Sequence, residues 1–197
     1  METRLVKDKG KLVWIKCGFN EGWEVPREGL GGELILAWMP GFNVYIVYHS
    51  NHIIHTDLID SKGNPLSITF IYGHPDHSRR TEVWQQLRNL KHVARPSWLC
   101  IGDFNKILTN EEKFSFNHGS IIGADLFQHL ISDLQLCNLR AVGQRFTWMN
   151  NREEEGICDR LDKAFTTADW VNSYPHYSLH NLPIVDSDHG PIRLNFE

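Results

Sequence analysis

Apolar residues along this chain fall into two kinds of run. Short runs rich in β-branched and aromatic residues, bounded by Gly, Pro, Asn or Asp, predict strands. They are Leu34–Met39, Val44–Tyr48, Ile53–Ile59, Leu66–Tyr72, Trp98–Ile101, Phe146–Met149 and Ile192–Phe196. Polar residues interrupt the second and third, which predicts partial exposure. Ser61-Lys62-Gly63-Asn64-Pro65 joins two runs and reads as a β-turn loop. Two other stretches have helical spacing. Thr81–Val93 sets Val83/Trp84, Leu87 and Leu90 on one stripe, with Lys and Arg opposite; Ala124–Leu134 does the same with Leu126/Phe127, Leu130/Ile131 and Leu134. The order is β-rich first, then β-α-β-α-β. That predicts an α+β fold of two sheets with helices outside, as a single domain over residues 1–197.

Composition agrees with a folded domain. Of 197 residues, 41% are hydrophobic and 11% aromatic, with seven Trp, which excludes a disordered chain. A net charge of −4 excludes a polybasic surface, while leaving room for a local nucleic-acid groove. The charge is uneven: residues 1–100 carry 12 basic and 10 acidic side chains, and residues 101–197 carry 8 and 14. The acidic half is either solvated surface or carboxylates gathered for a metal. No apolar run reaches the roughly 18–20 residues that span a bilayer. Met1-Glu2-Thr3-Arg4 offers no signal-peptide core. Four dispersed cysteines without a C-x-x-C pair predict an intracellular, reduced protein without structural disulfides. Cys100 and Cys137 lie in apolar strings and read as small buried hydrophobes.

Four segments could carry chemistry. Trp98-Leu99-Cys100-Ile101-Gly102-Asp103-Phe104-Asn105 runs a buried strand into a glycine and then places a carboxylate and a carboxamide two apart. If the chain stays extended, both face one side and could hold a metal or water, or donate to a developing anion. The plainer alternative is an Asx-turn ending the strand. Asp186-Ser187-Asp188-His189-Gly190 could supply a metal ligand and a general base, or simply be a polar turn. Asp159-Arg160-Leu161-Asp162-Lys163 offers a carboxylate to orient a histidine, or a surface ion-pair cluster. Tyr72, before Gly73-His74-Pro75, could donate to a phosphate oxygen or be a core aromatic with a wet hydroxyl. His49, His52 and His55 are three apart, so a shared metal would require a bend in the strand. A P-loop, a G-x-S-x-G elbow and an H-E-x-x-H helix are all missing.

Taken in order, Ile71-Tyr72-Gly73, Gly102-Asp103-Phe104-Asn105, Arg160-Leu161-Asp162 and Ser187-Asp188-His189 resemble the motifs of the endonuclease/exonuclease/phosphatase superfamily. Glu112-Lys113, Phe146-Thr147-Trp148-x-Asn150 and Trp170 make the chain resemble, within it, the endonuclease domains of plant LINE-type (non-LTR) retrotransposons. The resemblance implies a four-layered α/β sandwich of two packed, mainly antiparallel sheets flanked by helices. Against the family pattern the chain reads as N-terminally truncated, lacking the first strand and helix, because Met1 directly precedes the matching Glu2. The activity implied is metal-dependent hydrolysis of nucleic-acid phosphodiesters, with Mg²⁺ or alternatively Mn²⁺, DNA or other nucleic acid as substrate, no membrane partner and a monomeric state. A catalytically impaired retrotransposon remnant and a phosphomonoesterase are the alternatives. By the same resemblance, Glu2 and Asp188 would contact metal, Tyr72 phosphate, Asp103 the nucleophile or leaving group, and Asn105 the transition state; Asp162 would orient His189, the base or phosphate-polarising imidazole.

Overall fold

The computed structural model describes residues 9–25, 34–115, 123–150 and 156–196. It begins with a short helix, α1 (Gly10–Lys16), and a hairpin, β1 (Glu21–Val25) and β2 (Leu34–Trp38). There follow β3 (Val44–His49), β4 (Ile53–Ile59), β5 (Pro65–Tyr72), α2 (Arg80–Leu90), β6 (Trp98–Asp103) and β7 (Lys113–Phe114). The second half comprises α3 (Ala124–Asp133), β8 (Cys137–Asn138), β9 (Ala141–Gly143), β10 (Trp148–Asn150) and β11 (Ile157–Asp159). It ends with β12 (Asp162–Thr166), α4 (Ala168–Ser173), β13 (Ser178–Asn181) and β14 (Ile192–Asn195).

Six strands form the central sheet in the order β3-β4-β5-β6-β12-β8, antiparallel except for the β5–β6 pair. Alternation along its strands separates two cores. Ile53, Ile71, Trp98, Cys100 and Phe165 point to one face, where α2 contributes Val83, Trp84, Leu87 and Leu90 and α3 contributes Phe127 and Leu130. Leu66, Ile68, Leu99 and Ala164 point to the other, against Leu179, Ile192 and Leu194 of the β14-β13-β9 sheet and Trp170 of α4. Farther along that second face, Ile54 packs under Val25 and Leu34 of the β1–β2 hairpin. With α2 and α3 on one side of the sheet, and the β14-β13-β9 strands and α4 on the other, the fold is the layered α/β sandwich that the resemblance implies.

Every predicted strand and both predicted helices are present, with ends shifted by a few residues. The elements without a forecast are short or irregular in pattern. The seven residues of α1 have no side-chain cap and give too few turns for a periodic stripe; Glu24 Oε2 accepts the Gly10 N–H at 3.0 Å instead. β12 opens with Asp162 and Lys163, which read as a surface cluster, yet Lys163 is fully buried. Cys137 is a correction of the opposite sense. It is exposed, because β8 is an edge strand of two residues and its buried neighbours are Leu136 and Leu139. His49, His52 and His55 do not converge. His55 is buried against Thr69 and Trp98, His52 meets Tyr72, and His49 lies beside Trp23.

Candidate active site

The candidate residues start from a register. Tyr72 ends β5 beside Asp103, which ends β6, and Asp103 lies beside Asp162, which begins β12. Each occupies the face of its strand that looks to the second layer, because Tyr72 follows Leu66, Ile68 and Phe70 by twos, Asp103 follows Leu99 and Ile101, and Asp162 precedes Ala164. Neighbouring strands are about 4.8 Å apart, so a phenol and two carboxylates form one row across the sheet end. That row floors a cleft of about 950 Å³, which Trp148, Met149, Asn150, Ser187, Asp188 and His189 also line.

Two glycines let the row close. Gly102 has φ +142°, and a Cβ there would lie 2.1 Å from the Ile71 carbonyl oxygen; a Cβ at Gly73 would lie 2.3 Å from the Phe104 carbonyl. Past Asp103 the strand does not stay extended. Asn105 has φ 49°, its N–H donates to Asp103 Oδ1 at 2.7 Å, and this is the Asx-turn alternative. The turn still brings the carboxamide into the site. Asn105 Nδ2 donates to the Gly73 carbonyl at 2.7 Å and to Asp103 Oδ2 at 3.0 Å.

His189 comes from the loop between β13 and β14. Its Nδ1 lies 3.0 Å from Asp162 Oδ2, and its Nε2 lies 4.0 Å from Asp103 Oδ2. An ionised carboxylate only accepts, so Nδ1–H donates to Asp162, and in the neutral ring Nε2 keeps its lone pair toward Asp103. Burial, together with the charge of Asp162, pushes the Asp103 carboxyl up to about 6. Burial pulls the His189 imidazole down, but the Asp162 hydrogen bond and the charges of Asp162, Asp103 and Asp188 outweigh it, so its pKa is raised. At 4.0 Å the two groups make no direct hydrogen bond, so a proton would pass between His189 and Asp103 only through a water or substrate atom lying between them.

Asp188 is exposed at the cleft mouth. Trp148 Nε1 donates to its Oδ2 at 3.3 Å, and its carbonyl accepts from Met149 N at 2.9 Å. Glu2 lies outside the described residues. Among the described residues, no group of three or more His, Cys, Asp or Glu side chains could hold a metal ion. The carboxylates of Asp103, Asp162 and Asp188 are hard oxygen donors of the kind Mg²⁺ takes, and the charge of Asp162 adds to burial in raising Asp103. The chemistry of these oxygens suits a hard cation, with Asp188 as the proposed ligand within the described residues. The structure therefore brings Tyr72, Asp103, Asn105, Asp162 and His189 together, with Asp188 at the rim. Thr147 and Trp148 belong to this neighbourhood too; in the sequence, they marked a family motif without a role.

No family model matches the chain, and no curated protein matches it in sequence. Solved structures do. The endonuclease domain of TRAS1, a telomere-specific non-LTR retrotransposon, superposes with a TM-score of 0.72 at 17% identity, covering 98% of this chain and 93% of that one. A 3'-5' exonuclease, NExo, from Neisseria meningitidis gives 0.70 at 15% identity, covering 100% and 87%. An endonuclease/exonuclease/phosphatase family protein from Bacteroides thetaiotaomicron gives 0.57 at 11% identity, covering 96% and 79%. The fold is that of the endonuclease/exonuclease/phosphatase proteins. At these identities the likeness establishes the architecture, and the activity is argued from the site itself.

Proposed function

We propose that the chain is a metal-dependent phosphodiesterase of endonuclease type, acting on nucleic acid and derived from a plant LINE-type retrotransposon. The observation that carries this reading is the Asp162–His189–Asp103 chain of contacts, at 3.0 and 4.0 Å, with Asn105 and Tyr72 beside it at one sheet end. Likeness in fold to the TRAS1 endonuclease domain supports it.

In this reading the scissile phosphate lies over the row, where the Tyr72 hydroxyl and the Asn105 amide face its oxygens. Both amide hydrogens of Asn105 already have acceptors, so it contributes by exchanging the Asp103 Oδ2 contact for phosphate. Asp103, ionised above about 6, takes a proton from the attacking water or orients it. His189, as the imidazolium, donates from Nε2 to the phosphoryl oxygen, while Asp162 accepts from Nδ1 and favours that cationic form. Mg²⁺, or Mn²⁺ in its place, held by Asp188 with Glu2, would supply Lewis-acid stabilisation of charge on the phosphoryl oxygens.

Plasmid nicking tests the reading. With Mg²⁺ the protein converts supercoiled DNA to open circles, chelation stops it, and His189→Ala lowers the rate by about 10²–10⁴-fold. Equal rates for the two proteins would exclude catalysis at this site. A second reading, phosphomonoesterase, is favoured by a neighbour described as the 3' phosphatase NExo bound to product DNA hairpin. Phosphate release from a 3'-phosphorylated oligonucleotide without chain cleavage would select it. Neither activity in a folded protein would select a non-enzymatic remnant.

A further inference from the structure

The Asp162–His189 contact joins two segments far apart in the chain, and one buried residue touches both. Thr147, completely buried, precedes β10 behind the cleft. Its hydroxyl oxygen accepts the N–H of Leu161 at 3.0 Å and the N–H of Asp162 itself at 2.9 Å. Its own N–H donates to the Asp159 carbonyl at 3.1 Å, and its carbonyl accepts the N–H of Gly190 at 2.8 Å. Next to it, Met149 N donates to the Asp188 carbonyl at 2.9 Å, and Trp148 forms an antiparallel bridge with His189. The residue ahead of His189 and the residue after it are thus both pinned to this segment. The backbone of Asp162 hangs from the threonine side chain.

We infer that Thr147 is a positioning residue for the Asp162–His189 pair. Its hydroxyl sets where Asp162 stands and its carbonyl sets where the His189 loop stands, so one residue fixes the distance between them. Only the hydroxyl can be changed by substitution, and it serves the buried Leu161 N–H and the part-buried Asp162 N–H. Thr147→Val keeps shape and volume and removes the acceptor. Leu161 and Asp162 then lose their partner, and the strand start moves relative to a loop that remains in place. An error of an ångström in such a pair is enough to cost a large rate factor. Thr147 does not line the cleft, so substrate binding is not its direct concern. This inference rests on the functional reading above for its kinetic consequence, but not for its structural one.

The decisive measurement is therefore made without substrate or metal. In wild type, the Nδ1 proton of His189, hydrogen-bonded to Asp162, should give a downfield nitrogen-bound resonance in the proton NMR spectrum, absent in His189→Ala. Thr147→Val should lose or broaden it, and Thr147→Ser, which keeps the oxygen, should restore it. If the protein cleaves DNA, Thr147→Val should lower kcat by about 10- to 100-fold with little change in KM, and Thr147→Ser should recover most of the loss. A folded Thr147→Val protein with the resonance intact overturns the inference, and so does a Thr147→Ser protein that lacks it. A Thr147→Val chain that fails to fold also overturns it, in favour of a general structural role. Absence of nicking in wild type would sink the proposed activity and leave the spectroscopic result standing.

Discussion

Two loops form the walls of the candidate site, and they are held by opposite physical means. The loop carrying His189 is pinned by neutral groups: the Thr147 carbonyl accepts the Gly190 N–H, and the Met149 N–H donates to the Asp188 carbonyl. The loop carrying Asn105 is pinned from the other face of the sheet by charge. Lys163, fully buried in β12, donates Nζ to the Lys106 carbonyl at 2.7 Å and to the Arg160 carbonyl, and lies 3.2 Å from Glu112 Oε2. Glu112 in turn accepts the Leu108 N–H at 2.7 Å and sits 3.6 Å from Arg160. Neutral bonds fail one at a time, each leaving a modest unsatisfied group. A buried ion cluster fails together, because removing one member strands the charge of another. The Asn105 wall should be the brittle one.

Lys163→Met puts that contrast to its hardest test. It fills similar space but leaves Glu112 without its nearest cation, so unfolding in urea should reveal a loss of about 3–5 kcal/mol. Adding Glu112→Gln should return part of it, because the two residues share one network. A loss under about 1 kcal/mol, within the range of an exposed ion pair, would show that the charged wall is no stiffer than the neutral one.

The same lysine gives the comparison a pH dependence. Burial pushes Lys163 down to about 8, against the attraction of Glu112. A lysine that holds its proton less tightly in the fold than in the unfolded chain costs stability while both states are protonated, below about 8. Between there and its unfolded value of 10.5 the unfolded chain binds more protons, so stability rises with pH and the cost is relieved. The difference between wild type and Lys163→Met, followed by urea unfolding from pH 7 to 10.5, should change in that direction. Thr147 itself bears no charge, so any pH dependence in Thr147→Val should come through the Asp162–His189 pair it positions and not through a lysine. A flat difference for Lys163→Met would mean that its ammonium is better solvated than its burial implies.

How each wall appears in the sequence follows from its chemistry. Tyr72, Asp103, Asp162 and His189 were legible from motif order, whereas the single row formed by the first three follows from the sheet register. The Asx-turn at Asn105 was legible as the alternative: it forms in place of the extended strand, and it still brings the side chain to Asp103 and Gly73. Lys163 was not legible. Buried lysines are rare, and Asp-Arg-Leu-Asp-Lys has the local pattern of a solvated surface; only its pairing with Glu112, 51 positions away by residue number, makes burial tolerable. Thr147 was hidden for a different reason. A threonine between aromatics reads as strand filler, and its value lies in accepting from residues 14 and 15 positions further on.

The smallest effect, and the one that separates the walls most sharply, is electrostatic. Asp162→Asn keeps an oxygen to accept the His189 Nδ1–H while removing a negative charge. His189 should then titrate lower, because its cationic form loses the neighbour that most raises its pKa. Asp103 should also titrate lower than about 6, because its anionic form loses a like-charged neighbour. Two groups moving in the same direction identify a shared charge, since loss of their mutual attraction would send them apart. The linked stability has a fixed sign: His189, raised in the fold above the ordinary imidazole value of 6.5, contributes stability fully present below 6.5 and lost as pH rises through its folded pKa. Asp162→Asn should flatten that loss. NMR titration of the His189 ring in metal-free protein reads the first effect, and carboxyl-carbon shifts of Asp103 the second. Lys163→Met should move both titrations less than Asp162→Asn does, because its ammonium lies on the opposite face of the sheet and reaches the pair only through Asp162. If it moves them as much as Asp162→Asn does, the two walls are one electrostatic unit and the contrast between them is lost.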